Sequence, residues 1–221
     1  MKLSSTYATG LACAAMLVSI SADAHDLSST TTDSSVAGGA SPVTLVGLST
    51  TDDLGLRGVE SQERSDSPCL IRALRRNVNT GATSSTQSTR CGAKGATSSV
   101  MSVSFNNSDE YVTGIKVCRN SARDRVKGFR IRGAKLNSDG TLTPLGASQD
   151  IGVADVGSSE QGFSTITEPF DTRLNCDDRD GWSGFKSCPV GQIATGLRAH
   201  FNAGKEPRSL TGIALICRTP N

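Results

Sequence analysis

Between residues 176 and 182 the chain reads Cys-Asp-Asp-Arg-Asp-Gly-Trp, which gathers Asp177, Asp178 and Asp180 beside Trp182. Carboxylates accept hydrogen bonds from hydroxyl groups, and an indole offers an apolar face on which a pyranose ring can stack. These four residues form the candidate ligand-binding set, with a glycan as the expected ligand. A carboxylate pair at the right separation also performs glycoside chemistry. The competing reading is an acidic surface turn with Trp182 packed on a sheet. A Ca²⁺ loop is not expected, because the EF-hand spacing and its closing Glu are missing.

Other chemistry is sparse. The sequence contains no HExxH, no GxSxG and no phosphate-cradling glycine loop, and its two histidines are His25 and His200. No catalytic residue, cofactor or metal site is therefore expected, and His200 reads as a packed ring on an apolar strand. Asn106-Asn107-Ser108 is an N-glycosylation acceptor in an expected loop. With 23 basic and 21 acidic residues the charge is nearly balanced and aromatics are scarce, which excludes the basic, aromatic-rich face of a nucleic-acid binder. The alternating cations Arg123, Arg125, Lys127, Arg130 and Arg132 read as a solvated strand face.

The elements that hold these residues begin after a targeting segment. Lys2, the apolar run Leu11–Ile20 and the Ala22-Asp23-Ala24 pattern read as a signal peptide over residues 1–24, with the mature chain starting at His25. No later run approaches the roughly 20 apolar residues of a membrane span. Residues 25–67 are rich in Ser, Thr, Gly and Asp, and their apolar residues show no clear period, so they read as a disordered leader. A single folded domain then covers 68–221.

Within that domain short apolar-rich runs alternate with turn clusters, the pattern of an all-β fold. Related segments recur: VTGIKVCR closes on Cys118 and LTGIALICR closes on Cys217. A residue-Gly-apolar element appears at Thr113-Gly114-Ile115, Lys127-Gly128-Phe129, Thr195-Gly196-Leu197 and Thr211-Gly212-Ile213. Glycine inside a strand signals a bulge or a close backbone approach. A third copy is expected at Val126–Thr172, which would close a prism of three sheets. Six cysteines follow the signal segment, namely Cys69, Cys91, Cys118, Cys176, Cys188 and Cys217, an even set expected to be oxidised. The symmetric pairing is Cys91–Cys118, Cys188–Cys217 and Cys69–Cys176.

The run WSGFKSCPVGQIATGLRAHF, followed by SLTGIALICR, resembles the repeat of the vitelline membrane outer layer family. The matching positions are Trp182, Cys188, Pro189, Gly191, Gly196, Leu197, Gly212, Ile213 and Cys217. The resemblance implies an all-β, disulfide-stapled β-prism of three Greek-key sheets. It also implies a secreted, non-enzymatic protein, structural or carbohydrate-binding, at an extracellular surface or matrix. One alternative is an enzyme that processes N-acetylchito-oligosaccharides. The other is a secreted effector or inhibitor that binds a host protein, because Arg72-Ala73-Leu74-Arg75 is similar to the host-targeting motif of oomycete effectors. The expected partners are thus a glycan or an extracellular protein, without nucleic acid or a membrane span.

Overall fold

The computed structural model describes residues 24–41, 43–46, 52–64, 67–96, 100–120, 122–147, 151–154, 164–166 and 182–221. The signal segment before residue 24 lies outside them. Strands β1 (Thr32–Asp33), β2 (Ala37–Gly38) and β3 (Val43–Val46) precede a long hairpin of β4 (Leu54–Arg64) and β5 (Ser67–Asn77). After β6 (Thr83–Thr89) and β7 (Val100–Ser104) comes a second long hairpin, β8 (Glu110–Arg119) and β9 (Val126–Leu136). Short strands β10 (Leu142–Pro144), β11 (Ile151–Ala154), β12 (Ser164–Ile166) and β13 (Lys186–Ser187) follow. The third hairpin is β14 (Ile193–Phe201) and β15 (Leu210–Arg218). No α-helix occurs among the described residues.

Each long hairpin is the centre of one antiparallel sheet. The orders are β6-β5-β4-β7, β12-β11-β9-β8-β13 with β10 also on β9, and β1-β15-β14-β3 with β2 also on β15. In the first sheet three consecutive strands are joined by a fourth that returns beside the first, the Greek-key arrangement. The second repeats it, with β13 returning beside β8. The third is the same figure cut open, since the described strands begin with β1–β3 and end with β14 and β15. The chain is a β-prism of three Greek-key sheets. Their inner faces bury one common core that includes Leu56, Ile71, Val103, Ile115, Phe129, Leu197, Phe201 and Leu215.

A repeated irregularity gives the three hairpins their shape. The β4–β5 register slips between Leu56 and Gly58 and again between Gln62 and Glu63. The β8–β9 register slips between Val112 and Gly114 and between Cys118 and Arg119. The β14–β15 register slips between Ala194 and Gly196 and between His200 and Phe201. An extra residue on one strand bends and twists the pair locally. All four glycine elements named from the sequence fall on these slips, with Thr113, Lys127, Thr195 and Thr211 as the extra residues. At Gly58 a Cβ would lie 2.3 Å from the Val103 carbonyl oxygen, so a glycine there lets β7 approach.

The structure changes the expected boundaries. The third copy is β4–β5, with Arg57-Gly58-Val59 in place of Thr-Gly-Ile, and does not lie at Val126–Thr172. VTGIKVCR in β8 corresponds by its slips to ATGLRAHF in β14, so Cys118 and Cys217 stand on different strands of their hairpins. The segment 25–67 read as a disordered leader supplies β1–β4, and Leu27, Ala37, Leu56 and Val59 in it are buried. Its apolar residues show no regular period because the extra residue Arg57 shifts the strand's alternation by one position.

The disulfides change as well. Cys188–Cys217 forms as expected, with Cα atoms 5.7 Å apart. Cys69 pairs with Cys91, Cα atoms 4.9 Å apart, and not with Cys176. The β5–β6 hairpin enforces this: Leu70 faces Thr89 and the Arg90 N–H donates to the Cys69 carbonyl, so the next residues meet. Cys91–Cys118 is thereby ruled out. Cys118 is itself disulfide-bonded, while Cys176 lies outside the described residues. The Arg72-Ala73-Leu74-Arg75 motif is the middle of β5. Ala73 and Arg75 are buried there, and Arg72 forms a 2.5 Å ion pair with Glu60.

Two outcomes follow. Non-reducing peptide mapping yields Cys69–Cys91 and Cys188–Cys217 fragments, and loss of either bridge costs about 2–4 kcal/mol in urea unfolding. Gly58→Ala destabilises the fold by about 1–3 kcal/mol through overpacking; an unchanged urea midpoint would refute the close approach of β7.

Candidate ligand-binding cleft

Three turns converge at one end of the prism. The β5–β6 turn is set by the Asn77 side chain, whose Oδ1 accepts from the backbone N–H groups of Asn79 (3.0 Å) and Thr80 (2.8 Å). Gly81 closes it at φ 71° with its N–H donating to the Asn77 carbonyl. The β9–β10 turn repeats the design. Gly140, at φ 80°, donates to the Asn137 carbonyl. Asp139 Oδ1 accepts from the Thr141 N–H and hydroxyl at 2.9 and 2.6 Å. Those Thr141 hydrogen bonds hold the Asp139 carboxyl below its ordinary pKa. The β7–β8 turn is pinned from beneath: the buried Arg76 guanidinium donates to the carbonyls of Asn106 and Asn107.

Between these turns lies a cleft of about 370 Å³. Asn79 and Thr80 come from the β5–β6 turn, Ser108 and Asp109 from the β7–β8 turn, Asn137 and Ser138 from the β9–β10 turn, and His25 completes the rim. Val78, Tyr111 and Leu136 form the floor and belong to a small apolar cluster with Leu27 and Ile193. The Tyr111 hydroxyl donates to the Ser108 carbonyl at 3.3 Å. Burial pushes the Tyr111 phenol up to about 12, with Arg76 opposing and Asp109 reinforcing. Asp109 is paired with Lys135 at 2.9 Å, and that hydrogen bond raises the lysine. The rim is thus amide and hydroxyl groups with the His25 imidazole, and the Asp109 carboxylate is already matched by Lys135.

The residues expected from the sequence lie elsewhere. Asp177, Asp178 and Asp180 fall outside the described residues. Trp182 forms an antiparallel bridge with Cys118 beside the second sheet, and its half-buried ring packs on that cysteine. Lys116 Nζ stands 5.4 Å from the Trp182 ring centre and 5.1 Å from that of Phe185. The Arg132 guanidinium lies 4.1 Å from the Phe185 ring centre. Cations and rings therefore alternate across this face, each contact contributing about 0.5–1 kcal/mol. Of the basic segment read as a solvated face, Arg132 is stacked and Arg125 pairs with Asp124 at 3.4 Å. His200 is buried in β14. Asn106 is exposed on the β7–β8 turn.

The cleft was not singled out from sequence. Asn106–Asp109 and Asn137–Gly140 read as ordinary turns, and only folding places them against Asn79 and His25. The repeated Asn-to-Gly turn, at Asn77–Gly81 and Asn137–Gly140, was the available signal.

No known protein family and no characterised protein sequence matches the chain. Among solved structures it is similar to wild-type Malaysian banana lectin, at 13% identity and TM-score 0.36, over 87% of this chain and 100% of that one. It is also similar to the V. cholerae biofilm matrix protein Bap1, at 12% identity and TM-score 0.38, over 89% of this chain and 26% of that one. Membership of the vitelline membrane outer layer family is not supported. The fold rests on the strand pairings described above.

Tyr111 gives the floor a measurable signature. In a chain starting at His25 it is the single tyrosine, and its phenolate absorbance appears near pH 12, not near 10. Between those values the folded state keeps a proton that the unfolded chain has lost. Stability is therefore untouched by Tyr111 below about pH 10 and falls as the pH rises through about 12. Ionisation near 10 in the folded protein would contradict burial of the floor.

Proposed function

We propose that the protein is a secreted, non-enzymatic β-prism protein that binds carbohydrate at an extracellular surface or matrix. The observation that carries this reading is the cleft at the prism end: amides and hydroxyls converging over an apolar floor. A sugar ring presents the complementary surface, with hydroxyls at its edge and C–H groups on its faces. Small-ligand sites generally combine a few placed polar groups with an apolar lining. The oxidised cysteines support an exported protein, because disulfides persist in oxidising compartments, and residues 1–24 have the pattern of an export signal. Among the described residues no helix is long and apolar enough to cross a membrane.

The half-buried pair Trp182 and Phe185 favours a second surface on the second sheet, where Trp182 would contact a sugar with Asp177, Asp178 and Asp180.

A glycan array probed with the full oxidised chain tests both. Ser138→Trp, a change at an exposed rim position, fills the cleft. It is expected to cut retention at least about tenfold, the loss of roughly one or two charge-assisted or neutral hydrogen bonds, while leaving the unfolding midpoint in place. Loss with Trp182→Ala alone assigns binding to the second surface. An array that retains no glycan refutes the carbohydrate reading.

A further inference from the structure

Among the described residues, backbone hydrogen bonds begin at His25, the residue expected to follow the export signal. Ala24 is exposed. From His25 onward the backbone is clamped: the His25 N–H donates to Asn79 Oδ1 at 2.5 Å, and Asn79 Nδ2 donates back to the His25 carbonyl at 3.0 Å. The next carbonyl, of Asp26, accepts from the Asn221 N–H at 2.8 Å. The Leu27 N–H donates to Asp53 Oδ1 at 3.0 Å, and its carbonyl accepts from Arg218 Nη2 at 2.5 Å.

We propose that cleavage between Ala24 and His25 creates an α-amino group that is itself a ligand-binding group of the cleft. This rests on the carbohydrate reading of that cleft. The step consumes one water: the Ala24–His25 C–N bond breaks, a carboxylate forms on Ala24, and the released amine takes up a proton. A peptide N–H at His25 has one proton, already donated to Asn79. An ammonium has three, so two remain beyond the one that Asn79 accepts, at a residue that lines the cleft. Charged donors form stronger hydrogen bonds than neutral ones, so the processed chain binds a hydroxyl-rich ligand more tightly than the unprocessed chain.

Three measurements decide it. N-terminal sequencing of exported protein is expected to start at His25; a different start overturns the proposal. Acetylation of the α-amine by an N-hydroxysuccinimide ester near neutral pH is expected to be about tenfold slower in the intact protein than in Asn79→Ala, the effect of one charge-assisted bond. Equal rates overturn it. The third compares a chain starting at His25 with one that retains Ser21–Ala24, on the same glycan array. Retention at least about tenfold weaker for the longer chain supports the proposal, and equal retention overturns it. If neither form retains a glycan, the carbohydrate reading fails, and the acetylation rates alone decide whether the amine is a group of the cleft.

Discussion

One sheet is split between the two ends of the chain, and the prism closes only when those ends meet. β1 and β2 pair with β15, and β3 pairs with β14. A single buried side chain seals the joint. The Arg218 guanidinium donates to the carbonyls of Leu27, Ser28 and Asp52. A buried guanidinium is stabilised only when its donors are satisfied, and here three separate backbone positions do so. The same contacts hold His25 and the β4 start where the cleft needs them.

The three hairpins obey one geometric rule with different residues. An extra residue near each end of the hairpin bends it, so three curved sheets can share one narrow core. In β8, β9, β14 and β15 a glycine follows the extra residue, and these were legible in the sequence as a recurring element. In β5 the corresponding triplet is Cys69-Leu70-Ile71, which lacks the glycine. That is why the first hairpin did not declare itself as a copy. The apolar spacing Leu56 to Val59 has the same cause, since strict alternation breaks wherever a residue is inserted.

The cysteine pairing shows the same limit. Symmetry between apparent repeats suggested equivalent bridges, yet Cys118 and Cys217 sit on non-equivalent strands. Local hairpin register decided Cys69–Cys91, and register is invisible without the turn that sets it. The cleft was less legible still. Each turn carries Asn, Asp, Ser or Gly for its own conformational reasons. Their convergence comes from the packing of sheets, which a linear reading does not contain. Trp182, conspicuous in sequence as the chain's one tryptophan, is partly absorbed by packing against Cys118 and by the ammonium of Lys116.

The split sheet also fixes an order of events during synthesis. A chain emerges from its N-terminus, yet β1 to β3 have no partner until β14 and β15 appear. β1 to β3 must wait for β14 and β15, with the strands β4 to β13 in the intervening loop. Topologies dominated by such distant pairings fold slowly. The two local hairpins pair within themselves, but the third sheet stays open until its distant strands meet.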